Sequence, residues 1–123
     1  MNINIYYGGR GLVDDPTILV INKIQEVLDE LNVNVNRYNL YEMKNTITTL
    51  SQTVTEADGI ILATTVEWVG MGGYMQTFLD SCWLYSDKSQ ILDKYMFPVV
   101  MARTYREREV TLALNNSWEI IGG

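Results

Sequence analysis

The chain opens on NINIYY, residues 2–7, where polar and apolar positions alternate and β-forming residues dominate. Alternation that ends at Gly8-Gly9 predicts a strand followed by a turn. The period then changes. In DDPTILVINKIQEVLDELN, Ile18, Ile21, Ile24, Leu28 and Leu31 recur at helical spacing, with Lys23, Glu26, Asp29 and Glu30 elsewhere on the wheel. Asp15 is a good N-cap and Pro16 a good first helical residue, so a helix should start there. Alternation returns in VNVNRYNL, 33–40, a second predicted strand. MKNTITTLSQTVTEA follows, and its threonines lower helix propensity. GIILATT, 59–65, is continuously apolar, as expected of a parallel strand covered on both faces. A helix is predicted from Gly73 to about Ser86, and a fourth strand at 96–102. A last helix is predicted in YREREVTLALNNSW, with Val110, Leu112 and Leu114 in its apolar part.

The predicted order is β-α-β-α-β-α-β-α. Strands joined by crossover helices pair in parallel with right-handed connections. The expected class is therefore α/β, a three-layer α/β/α arrangement around an open parallel sheet. The 123 residues suffice for one domain, 1–123, and not for two. In such sheets ligands bind outside the carboxyl ends of the strands. That places interest on the loop after the apolar strand, TTVEWVG, which carries a tryptophan on a turn.

Composition narrows the chemistry. Fifteen acidic residues against nine basic ones give a net charge of −6, which argues against a nucleic-acid polymer or an anionic membrane as partner. Cys82 is the one cysteine, so no internal disulfide forms and a reducing, cytoplasmic compartment is expected. MNINIYYGG lacks the basic start and long apolar run of a signal peptide, and no stretch approaches the length of a membrane span. Histidine is absent, which removes Ser-His-Asp and Cys-His nucleophile systems and disfavours a transition-metal site.

Three loops should share the ligand end. In GGRGLVDDPT, glycines before a helix N-terminus could cradle a phosphate with backbone N–H groups, helped by Arg10 and the Thr17 hydroxyl. Equally, this could be a turn with Asp15 as an ordinary cap, and Asp14 and Asp15 stand where an anion would want no carboxylate. In the loop after the apolar strand, Trp68 can offer its face to a flat ring while backbone beside Gly70 approaches a ligand closely. Alternatively Trp68 closes the end of the core. Glu67 is either a solvated turn residue or an acceptor for a ring N–H. In ARTYRERE, Arg103, Arg106 and Arg108 concentrate positive charge and Tyr105 could stack on a ring. A helix surface of paired charges reads the same residues equally well. Cys82, beside Trp83, reads as a buried structural thiol.

The segment GIILATTVEWVGMGGYMQTFLD resembles the central strand, loop and helix of flavodoxin-like, NAD(P)H-dependent FMN reductases, typically A-T-P-V-Y-W-G-S-M-S-G-Q-L-K-A-F-L-D. Without a gap, Thr64, Val66, Trp68, Met71, Gly73, Phe78, Leu79 and Asp80 fall on matching positions. ILDKYMFPVVMA is similar to the family's next stretch, with Lys94 ahead of the fourth strand. The resemblance implies bound FMN, with NAD(P)H as co-substrate and the hydride chemistry carried by the flavin. It puts the isoalloxazine ring against Thr65, Val66, Glu67, Trp68, Val69 and Gly70. It puts the phosphate in the Gly8, Gly9, Arg10, Thr17 loop, and the pyrimidine side near Arg103 and Tyr105. The sequence departs from the pattern at Gly9, where a serine is usual, at Asp14-Asp15, at Thr65 for proline and at Glu67 for an aromatic.

The resemblance also implies a sheet in the order 2-1-3-4-5, of which four strands are visible. A fragment, a short form, or a partner that completes the sheet is expected, with a homo-oligomer or a further C-terminal segment covering the 96–102 edge. Two other functions stay open: a degenerate flavodoxin-like domain without flavin, acting in assembly or regulation, and a one-electron flavodoxin.

Overall fold

The computed structural model describes residues 1–43, 45–66, 71–86, 88–102 and 107–122. Strand β1 (Asn2–Tyr7) leads through the glycine loop to helix α1 (Pro16–Glu30). Asp15 caps that helix as predicted, accepting the Thr17 N–H, and Pro16 follows it. Strand β2 (Asn34–Asn39) comes next. The threonine-rich stretch does not form one helix. It breaks into a 3-10 turn at Leu40–Glu42, a single α turn α2 (Ile47–Leu50) and a 3-10 run at Ser51–Glu56. Threonine hydroxyls turn back onto the carbonyls three residues earlier at Thr46, Thr49, Thr53 and Thr55, the competition that shortens helices.

Strand β3 (Gly59–Thr65) has the predicted bounds. Helix α3 (Gly73–Tyr85), a short α4 (Lys88–Ile91), strand β4 (Tyr95–Met101) and helix α5 (Glu107–Ile121) complete the order. The four strands form one parallel sheet in the order β2-β1-β3-β4. The central pair, β1 and β3, is the most buried because helices cover both of its faces.

The pleat sorts the core into two. Tyr6, Ile60 and Leu62 point to the face covered by α2, α3 and α5. Ile5, Tyr7, Ile61, Ala63 and Val99 point to the opposite face, where Ile21 of α1 meets them. Tyr6 stacks between Tyr38 and Phe78, which fixes α3 over β1. Asn34 and Asn36 on β2 donate to Asn2 and Asn4 on β1, so the polar positions of the first two strands satisfy each other across the ladder. Lys94, matched to the family's lysine, is a brace: its Nζ donates to the carbonyls of Thr55 and Ala57.

Two expectations shift register. The last helix runs three residues beyond Trp118, and its buried stripe is Val110, Leu114, Trp118 and Ile121. Leu112, placed in the apolar part by sequence, is 53% exposed. No helix among the described residues is long and apolar enough to cross a membrane.

Candidate functional site

The carboxyl ends of β1 and β3 lie side by side. Gly8 N–H donates to the Ala63 carbonyl at 2.8 Å, prolonging their ladder. Val66 N–H donates to Met101 O at 2.8 Å and ties the end of β3 to β4. The fully buried Thr64 hydroxyl donates to Met71 O at 2.7 Å, so the residues flanking positions 67–70 are held close together. Gly72 then takes a positive φ of 87° just before α3, a conformation glycine adopts without steric cost.

The first loop is built around a buried carboxylate. Asp15 is only 4% exposed. Its Oδ1 accepts the Thr17 N–H at 3.0 Å and the Thr65 hydroxyl at 2.5 Å, and its Oδ2 accepts the Tyr7 hydroxyl. A carboxylate only accepts, so the protons in this cluster have one consistent arrangement. Thr65 donates to Asp15. Thr17 Oγ1 donates in turn toward Thr65 Oγ1 at 2.7 Å and the Thr64 carbonyl at 3.2 Å. Gly11 N–H donates to the Tyr7 oxygen at 3.1 Å. Burial, and then the Asp15 hydrogen bond, hold the Tyr7 phenol protonated well above the ordinary tyrosine range.

The loop glycines answer to packing. A Cβ on Gly8 would lie 2.7 Å from Met75 Cβ, because α3 packs directly on that backbone. A Cβ on Gly9 would enter the Tyr7–Asp15 pair, 2.8 Å from Asp15 Oδ2. Beside them, Arg10 joins Gly73, Tyr74 and Thr77 in lining a groove of about 440 Å³ at the start of α3.

Gly8, Gly9, Arg10, Thr17, Thr65 and Val66 are thus gathered at one end of the sheet, and Thr17 touches Thr65 directly. Glu67, Trp68, Val69, Gly70, Arg103 and Tyr105 lie outside the described residues. Arg108 is exposed in the first turn of α5. Sequence reasoning missed Tyr7, Tyr74 and Thr77. It saw Asp15 as a cap but not as the acceptor of three donors. Tyr7 carried one available signal, a phenol at the last position of a buried strand. Cys82 is buried, and desolvation pushes its thiol up to about 12, as suits a structural thiol. Among the described residues, no group of acidic and cysteine side chains could hold a metal ion.

No family profile matches the chain, and no curated protein matches it. Solved structures do. RosB with a bound 8-demethyl-8-formylriboflavin-5'-phosphate intermediate superposes with a TM-score of 0.83 at 12% identity over 99% of this chain. The chain spans 60% of RosB's length. An FMN-dependent NADH-azoreductase from Bacillus anthracis, in complex with FMN, gives 0.78 at 9% identity, covering 99% of this chain and 82% of that one. A flavodoxin from Streptococcus pneumoniae gives 0.75 at 17% identity, covering all of this chain and 78% of that one. At these identities the likeness is one of architecture: the chain has the flavodoxin-like fold, an open parallel sheet in the order 2-1-3-4 between helical layers.

Proposed function

We propose that the chain is a flavin-binding oxidoreductase domain of the NAD(P)H-dependent flavin or quinone reductase type. FMN is the flavin that the sequence resemblance implies, and NAD(P)H the hydride donor. The observation that carries the reading is the convergence of the first loop and the end of β3 at the carboxyl ends of the two central strands, with Arg10 lining the groove at the start of α3 and Thr65 joined to Thr17 across the strand ends. The bound flavin would supply the hydride chemistry. The chain's own residues would bind and orient it: Val66 and the 67–70 segment against the ring, Trp68 and Tyr105 as stacking faces, and Arg10 and Arg103 as positive charge in an acidic chain. The residues present suit the ring better than the phosphate, because the hydroxyls of Thr17 and Thr65 are already bound within the Asp15 cluster. That cluster also favours the second reading, a flavodoxin-like domain that binds no flavin and acts in assembly or regulation. The working form would be cytoplasmic, given the lone reduced thiol, and a homo-oligomer closed over the β4 edge.

The test is anaerobic mixing of the chain and FMN with NADH or NADPH, following loss of the oxidised-flavin absorbance. The reductase reading expects bleaching at least tenfold faster than with free FMN. Binding without acceleration would favour a one-electron flavodoxin instead. Trp68→Ala should weaken flavin binding by about 1 kcal/mol if the indole meets the ring. Unchanged affinity with a lowered melting temperature would assign Trp68 to the core.

A further inference from the structure

We propose that the Asp15 carboxylate is a built-in occupant of the anion cradle at the start of α1, so that this site takes a flavin without a 5'-phosphate at least as tightly as FMN. The proposal rests on the flavin reading above and specifies its ligand. A helix N-terminus at the carboxyl end of a parallel strand is a natural anion site, because unpaired N–H groups and the helix dipole converge there. In this chain three donors that would line it already face Asp15. The Thr17 N–H, the Thr65 hydroxyl and the Tyr7 hydroxyl all donate to its two oxygens. The Gly11 N–H is turned to the Tyr7 oxygen, and the Gly8 N–H to Ala63. Gly9 closes the cluster from above, with room for no side-chain atom between it and the carboxylate.

A phosphate arriving here would meet occupied donors, a buried negative charge and a chain of net charge −6. An uncharged ribityl chain meets none of these penalties. Arg10 lines the groove at the start of α3 with Tyr74 and Thr77.

The experiment titrates riboflavin and FMN into the wild-type chain, Asp15→Asn and Asp15→Ser, following flavin fluorescence. Each protein's thermal midpoint is also measured with and without inorganic phosphate. Wild type should bind riboflavin as tightly as FMN or tighter. Asp15→Ser vacates the cradle while keeping a capping hydroxyl, and should shift the affinity ratio at least tenfold toward FMN. Asp15→Asn keeps size and cap, carries the test if the serine variant does not fold, and should shift the ratio in the same direction. Inorganic phosphate should raise the midpoint of Asp15→Ser by more than that of wild type, whose rise reflects only general exclusion of the salt from the surface. A wild-type preference for FMN of tenfold or more, or an unchanged ratio in the variants, would overturn the proposal. If neither flavin binds any of the proteins, the flavin reading fails, and the phosphate arm still decides the cradle: equal stabilisation of wild type and Asp15→Ser would show that removing the carboxylate opens no anion site, and would overturn the proposal.

Discussion

Asp15 illustrates how one residue can be legible in type and hidden in consequence. Its place before Pro16 announces a cap, but its burial beside Tyr7 and Thr65 depends on β3 arriving fifty residues later. Asp14, which the sequence pairs with it only as a second carboxylate unfavourable to an anion, is exposed. The difference makes Asp15→Ala costly: about 2 kcal/mol or more, from a lost cap and two hydroxyls left without an acceptor. Urea denaturation of Asp14→Ala and Asp15→Ala should separate them, and equal midpoints would contradict the buried cluster. Cys82 gives a second residue-scale expectation. Burial raises its thiol from 9.0 to about 12, and burial likewise raises the Tyr6 phenol above its ordinary 10.0. Above pH 9 the unfolded chain releases protons that the folded chain keeps. Stability present at neutral pH is therefore lost as pH climbs from about 9 toward 12, at up to ~1.4 kcal/mol per pH unit for each such group. Urea midpoints between pH 8 and 11 should fall, and Cys82→Ala should flatten the first part of that fall. An unchanged curve in the variant would mean that the thiol ionises in the folded state.

At the scale of elements, periodicity carried most of the fold. The apolar run of β3, the alternation of β1 and the capped, periodic α1 sit where the sequence places them, because local pattern and tertiary burial agree there. The stretch between β2 and β3 was less legible, since threonine side chains compete with the helix ladder and only packing under α3 decides how many turns survive. The last helix misled at Leu112 because a residue two places from both Val110 and Leu114 falls on the opposite side of a helix, so the three cannot share one buried face. The glycines show the same limit. Gly8 and Gly73 look alike in sequence, yet a Cβ at Gly8 meets the backbone and side chain of Met75, while a Cβ at Gly73 meets nothing within 4 Å. Gly8→Ala should therefore destabilise by roughly 1–3 kcal/mol through displacement of α3. Gly73→Ala, at the first helical position, should be neutral or stabilising by up to about 1 kcal/mol. Thermal melts of the two variants check the contrast, and a silent Gly8→Ala would show that α3 does not rest on the loop.

Across the whole molecule the two sheet edges differ. The β2 edge is polar, with Asn34, Asn36, Arg37 and Asn39 along it. The β4 edge is YMFPVVM, with Tyr95 83% and Phe97 63% exposed. Next to it a groove of about 410 Å³, lined by Ile24, Leu28, Ile61, Met96 and Phe97, opens on the face that α1 covers only in part. An apolar edge of this kind is a template for association. Burying two such aromatics is worth several kcal/mol, at roughly 1.5–3 kcal/mol for a fully buried large side chain. The 14.1 kDa chain should therefore sediment as a larger species at tens of micromolar. Phe97→Lys should weaken the association at least tenfold, and a monomeric wild type would contradict the expectation. The central claim, that the carboxyl end of this sheet is a flavin site, is tested most directly by adding FMN or riboflavin to the purified chain and following flavin fluorescence. Saturable quenching by at least one flavin is predicted, with a dissociation constant below tens of micromolar, a binding free energy of about −6 kcal/mol or stronger. Unchanged fluorescence with both flavins through that range would contradict it.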